Sequence, residues 1–431
     1  MAQVLQSRME DTLGRKRLSF AISPREWLRR EQLSRGFWVF FGAAFFFDFG
    51  FSVYFFLFNL YLMDLRFNDR AIGLITGALT LGSVAGTLPA GVLARKFGVR
   101  PLLIVCFLAA PIMGAFRTMV HREMAHIYLA FVAGVAMSLW GVCFLPALAR
   151  LTTEKNRASA FGLIFSVSIG TSTLGGFICG YLPRWLSMTG FTLQPEQVKR
   201  IILLASCAIA AVGLVAVLRL RLPAPDAESS EPVGTRGISL RKARTIHPFL
   251  LRYLPAMALW TAVLAAFTPF ANVYLSRNLH IPMERIGLIF SISQIVQLCV
   301  GLMTPLLFRR LGLLNGIVAT QLMTATALGV LAMTRDSRLA VVLYLGFSAM
   351  QWMSSPGLYN LLMTRMPDRE RSSAASMTLF CNAVLSSAAT SLAGILYVRF
   401  GYPHVLLGIA ALAVLAGMLF WVLVDADPAH A

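Results

Sequence analysis

The sequence predicts an all-α integral membrane protein, with twelve transmembrane helices in two pseudo-symmetric halves of six. Three observations predict it. Hydrophobic residues make up 57% of the 431 residues and charged residues only 13%, against about 25% charged in an average soluble chain. The apolar residues come in blocks of roughly 20, long enough to cross a bilayer as helices. Finally, the chain is written twice. IGLI stands at 72–75 and again at 286–289. The same shift of 214 residues aligns LARKFG (93–98) with LFRRLG (307–312) and EKNRASA (154–160) with DRERSSA (368–374). With one residue of slip, NLYL (59–62) meets NVYL (272–275).

The elements follow in order. Residues 1–35 form a polar, basic cytoplasmic segment with no evident cleavable signal peptide. Within it, Ser23-Pro24-Arg25-Glu26 reads as a capping box with proline at the first helical position. Trp27 to Arg30 continue it as a short amphipathic helix on the membrane surface. The first half, 36–220, holds spans at 36–63, 71–94, 101–120, 126–149, 159–186 and 200–218. Residues 221–247 are rich in Pro, Ser, Glu and Gly before a basic run, and read as a flexible cytoplasmic linker. The second half, 248–424, holds spans at 251–275, 285–308, 312–333, 338–363, 372–398 and 402–424, and 425–431 is a tail. A spanning segment must satisfy its own backbone, so long apolar blocks are helices; a barrel would show short alternating segments instead.

The formal net charge of +19 does not signal nucleic acid. With both termini cytoplasmic, about two-thirds of the Lys and Arg fall on the inner side, the asymmetry of the positive-inside rule. A multi-pass protein of the cytoplasmic membrane, monomeric and in contact with lipid, is expected. The basic cluster Arg236, Arg241, Lys242 and Arg244 also suits anionic lipid. All six cysteines lie inside spans, with no metal-ligand spacing, so no disulfide, metal or cofactor is expected. No HExxH, P-loop or GxSxG pattern points to an enzyme.

The two six-helix halves, with a basic loop after the second helix of each, resemble the major facilitator superfamily of secondary transporters over about residues 36–424. Its motif between helices 2 and 3, roughly G-x-x-x-D-[RK]-x-G-[RK]-[RK], is met by Gly91, Lys96, Gly98 and Arg100, with Arg95 where the family carries aspartate and Val99 where it carries a cation. The second half keeps Arg309, Arg310 and Gly312. The glycines allow tight helix approach and a tight loop. The resemblance implies that the cations belong to a charge network closing the inner gate. Glu154 with Arg157, and Asp368 with Arg371, are its symmetric acid-x-x-Arg partners. The fifth-helix antiporter motif, ending Gly-Pro-x-x-Gly-Gly, is met only by its glycines, Gly170, Gly175 and Gly176.

One acid stands apart. Asp48 lies mid-span in the aromatic run FFFDFGFSVYFF (45–56), while the other acids fall in loops, tails or span ends. An aspartate at a helix centre costs about 2.5–3.5 kcal/mol to insert, and such residues face a bundle interior or a watery cavity. The resemblance implies a central cavity lined by helices 1, 4, 7 and 10. Asp48 is thereby placed to bind a proton or a cationic group, with Tyr54 or Phe55 on its face. Trp140, Trp260, Thr261, Gln351 and Trp352 are further cavity candidates, with Gln294, Gln297 and Asn382 as second choices. Each is individually more typical of packing or interhelical hydrogen bonding. Asn59 and Asn272, at matching outer ends of helices 1 and 7, read as elements of the outer gate.

The function expected is secondary transport of a small organic solute by alternating access, proton-coupled. One embedded acid and no embedded cation favour efflux of cationic or neutral amphiphiles. Uptake or uniport of a neutral metabolite such as a sugar stays open, as does a non-transporting receptor on the same fold.

Overall fold

The computed structural model describes residues 33–153, 156–188, 194–222, 247–367 and 370–424. Glu154, Asp368, the surface helix expected at 23–30 and most of the linker lie outside them. Ten helical stretches are long and apolar enough to cross a bilayer. One of them, Ser373–Val424, turns at Gly401 (φ 75°, ψ 164°) and is two rods. Together with Ser337–Arg365, which is less apolar, this makes twelve helices.

The first half is α1 (Arg35–Asp64), α2 (Asp69–Phe97), α3 (Val99–Met119), α4 (Glu123–Leu151), α5 (Arg157–Met188) and α6 (Pro195–Arg219). The second is α7 (Pro248–Arg277), α8 (Met283–Leu311), α9 (Leu313–Met333), α10 (Ser337–Arg365), α11 (371–400) and α12 (402–424). Local chemistry sets several boundaries. The Ser34 hydroxyl accepts from the Phe37 amide, donates to the Leu151 carbonyl and so ties the start of α1 to the end of α4. Asn68 caps α2 through the Ala71 amide. Gly98 and Gly312, at φ 84° and 80°, turn α2 into α3 and α8 into α9. A single residue reverses the chain at both places, which only glycine does cheaply.

Inside the first half, α1 packs on α5 and α6, and α4 on α2 and α3. In the second, α7 and α9 pack on the α11–α12 rod, and α8 and α9 on α10. The halves meet chiefly through α2 on the α11–α12 pair and α5 on α8, with smaller contacts of α7 on α1 and α2. Lipid offers no hydrophobic drive to bring helices together, so close backbone approach through small residues must do it. Here the repeated IGLI finds its reason. A Cβ on Gly73 would sit 2.8 Å from the Thr390 carbonyl and 3.0 Å from the Gly394 Cα; its repeat mate Gly287 lies equally tight against Gly176 and Gly180.

These contacts lie on one side of the membrane, the side where α1 ends and α7 ends. The hydrogen bonds between the halves, among described residues, gather there too. Asn59 Nδ2 donates to the Pro269 carbonyl at 2.8 Å, and Asn272 Nδ2 donates to the Phe56 carbonyl at 2.9 Å. The two bonds are images of each other under the internal repeat. Beside them Arg277 pairs with the buried Asp69 at 2.9 Å. Ser291 reaches the Thr173 carbonyl, and Ser387 the Gly77 carbonyl. The seam is closed on this far side.

Candidate functional site

Below the closed seam lies a cavity of about 480 Å³ between the halves. One stripe of α1 faces it: Asp48, Ser52, Phe55 and Asn59, at spacings of four, three and four residues. That spacing keeps side chains on a single face of an α-helix. Phe47, Phe51 and Phe58 flank the stripe. α5 contributes Ser168, Ser172 and Gly176; α7 contributes Thr268, Pro269 and Asn272; α8 contributes Phe290 and Gln294. Asp48 is the only carboxylate among the lining residues, and Ser168 lines the same cavity. Ser52 turns back to the Asp48 carbonyl at 2.6 Å and stands 3.3 Å from Ser172. The site is thus an aromatic box with one acid and a few hydroxyls. The asparagines of the far-side clasp form its roof.

The sequence-derived candidates divide. Trp140 lines the cavity, its ring centroid 5.1 Å from that of Phe47 and 5.9 Å from that of Phe40. Tyr54 does not line it: its hydroxyl donates to the Gly114 carbonyl at 3.1 Å, between α1 and α3. Six residues separate it from Asp48, which at about 100° per residue rotates it some 120° off the acid's face, whereas Phe55, seven on, returns to it. Trp260 is 1% exposed, packed in the interior of the second half and absent from the lining. Thr261 is half-buried and also absent. Gln351 meets the cavity through Thr268, whose hydroxyl lies 3.4 Å from its amide oxygen. Trp352 is 40% exposed and lies against Gly301 of α8. Of the second choices, Gln294 lines the cavity, Gln297 bonds to Ser348 at 2.5 Å, and Asn382 is half-buried outside the lining.

One expectation is overturned. The sequence shows no embedded cation, yet Arg117 of α3 is 3% exposed and lines the cavity. Its guanidinium lies over the Phe58 ring at 4.2 Å and near the Tyr54 ring at 5.8 Å. Its Nε has no hydrogen-bond partner among the described residues. In sequence Arg117 sits near the end of an apolar block, where an arginine ordinarily snorkels to the interface. The structure folds it inward because Phe58 and Tyr54 of α1 offer ring faces at that level. No signal in a single sequence separates these two fates.

The geometry of two six-helix halves around a midplane cavity agrees with the sequence comparison. A family model described as Major Facilitator Superfamily matches residues 40–390. The chain belongs to that superfamily. Solved superfamily structures share its fold at low identity. The nucleoside transporter NupG is 15% identical, with a TM-score of 0.73, covering 91% of this chain and 100% of its own. A bacterial homolog of the human lysosomal transporter Spinster, in an inward-facing and unoccupied conformation, is 12% identical with a TM-score of 0.74, covering 92% and 100%. The xylose transporter XylE from E. coli, inward open, is 13% identical with a TM-score of 0.66, covering 91% and 96%. None of the curated proteins compared matches the chain.

The superfamily motif occupies the α2–α3 turn. Gly98 supplies the left-handed residue, and Arg100 Nη2 donates to the Leu218 carbonyl of α6 at 2.8 Å. Lys96 lies over the Phe97 ring at 5.3 Å. Arg95, Arg157, Arg309 and Arg310 are exposed. Arg371 Nε reaches the Met366 carbonyl at 3.1 Å. Gly91 corrects an expectation: a Cβ there would meet nothing within 4 Å, so it makes no tight helix approach in this conformation. The cysteines form no disulfide; four are buried, Cys299 is exposed and Cys381 half-buried.

Proposed function

We propose that this chain is a proton-coupled secondary transporter that exports a small organic amphiphile by alternating access, with Asp48 holding the proton or the cationic group of the solute. The observation that carries the reading is the position of Asp48. It is the one carboxylate lining a cavity rich in aromatic side chains, on the seam between two halves that must separate and close for transport. Midplane sites at a repeat interface are where such transporters bind their solutes. A carboxylate there binds a cation or a proton but not both, and that competition couples the two fluxes. The excess of Lys and Arg in the loops on the terminus side supports placing that side in the cytoplasm. Arg117 removes the argument that the site excludes anionic groups, so it is the acid, rather than a lack of cations, that supports the reading.

The test uses purified protein in liposomes with an imposed pH gradient, following ethidium as a cationic probe and a neutral sugar beside it. Gradient-driven ethidium flux is expected in the wild type, with a loss of at least about tenfold in Asp48→Asn and partial return in Asp48→Glu. A tenfold loss is the removal of about 1.4 kcal/mol of transition-state stabilisation. Wild-type flux in Asp48→Asn at unchanged pH gradient overturns the proposal.

A further inference from the structure

The cavity carries two charges of opposite sign, and they do not touch. The ion pairs between described residues are Asp64 with Lys199 and Asp69 with Arg277; neither involves Asp48 or Arg117. Along α1 the guanidinium lies level with Tyr54 to Phe58, six to ten residues beyond Asp48. At 1.5 Å per residue the two charges are about 9–15 Å apart along the axis. The wall between them on α1 carries the rings of Phe51 and Phe55, with the Ser52 hydroxyl turned back to the Asp48 carbonyl.

A buried cation with no carboxylate partner is costly. The faces of Phe58 and Tyr54 offset part of that cost. The Nε–H still lacks an acceptor among the described residues, and the side chain borders the cavity. An anionic oxygen from outside the chain can complete such an arginine, whose planar fork matches a carboxylate or phosphate bidentately.

We infer that the site accepts an elongated zwitterion, its cationic group at Asp48, its carboxylate or phosphate at Arg117, and an apolar stem against the phenylalanines between. The inference rests on Asp48 being a ligand-binding acid, as proposed above, and adds the second pole and the length. A compact zwitterion such as a free amino acid cannot span the two charges. A monopolar amphiphile leaves one of them unanswered.

The test is a length ladder of ω-amino acids, from four to fourteen carbons, measured by thermal stabilisation of the purified full chain. Alkylamines and alkanoic acids of the same lengths are the controls. A ligand that binds only the folded protein raises its unfolding midpoint by mass action. The expected result is an optimum at eight to twelve carbons, with the amino acid binding at least about tenfold more tightly than the amine of equal length, as a hydrogen-bonded charge contributes. In Arg117→Gln that advantage and the length optimum disappear together, while amine binding remains. In Asp48→Asn the amine loses its binding. The ladder on the unaltered protein decides the matter even where a variant fails to fold. Amino acids that bind no better than the equal-length amines, or bind equally at every length, overturn the zwitterion while leaving Asp48 as a cation site. Binding by no member of either series, or amine binding unchanged in Asp48→Asn, overturns both.

Discussion

The two asparagine bonds across the seam give the sharpest handle on alternating access. Asn59 and Asn272 each donate one amide hydrogen to a carbonyl of the opposite half, at 2.8 and 2.9 Å. Asn59→Ala removes the donor to Pro269, and Asn272→Ala removes the donor to Phe56. In the closed state each carbonyl then loses its cross-seam donor at a largely buried seam; in the open state water replaces that donor. A net hydrogen bond contributes about 0.5–1.5 kcal/mol, and a buried group left unsatisfied costs about 1–3 kcal/mol. Each single change should therefore shift the closed-to-open ratio by about 1–2 kcal/mol, roughly 5- to 30-fold. Both bonds break in the same movement, so the double variant should shift the ratio by about 2–4 kcal/mol. The assay is a distance distribution between spin labels on His121→Cys and Arg335→Cys. These exposed loop positions lie on the far side, one in each half. The exposed Cys299 and half-buried Cys381 are first replaced by Ser. The long-distance population should grow in each single variant and dominate in the double. A distribution in the double variant indistinguishable from wild type refutes the reasoning that these bonds hold the far side shut.

Other consequences follow from the same seam and turns. Gly73→Ala would press a methyl on the Thr390 carbonyl and the Gly394 backbone, where nothing can yield, whereas Gly91→Ala meets open space. The first should disfavour the closed far side by about 1–3 kcal/mol in the same spin-label experiment, and the second should leave the distribution unchanged. Gly98→Ala forces a Cβ into the φ 84°, ψ 167° region, which costs about 1–3 kcal/mol. Its unfolding midpoint in detergent should fall, and so should that of Gly312→Ala, because the turn at φ 80° repeats it.

Much of the architecture was legible because membrane insertion is decided locally. A block of apolar residues commits to a helix with little help from its neighbours, so the spans around Asp48, IGLI and the basic loops could be read from composition and repeat alone. The site was only partly legible. Asp48 announces itself by the cost of placing a carboxylate mid-span. Trp140 and Trp260 look alike in sequence, each a tryptophan near a helix centre, yet one lines the cavity and the other is sealed in the second half. Tyr54 and Phe55 differ by one residue, and hence by about 100° of helix rotation, which sends one to α3 and the other to the cavity.

The sequence by itself determined the membrane-spanning helices, the duplication, the superfamily and the one acid at mid-depth. These follow from transfer free energies and repeat spacing, which act residue by residue. Only the tertiary structure decided which faces meet. It turned IGLI into the closed seam and made Asn59 and Asn272 reciprocal donors. It also drew Arg117 off the membrane boundary onto the rings of Phe58 and Tyr54. Helix rotation and cross-helix proximity depend on the packing of all twelve rods at once, and no local pattern carries that information.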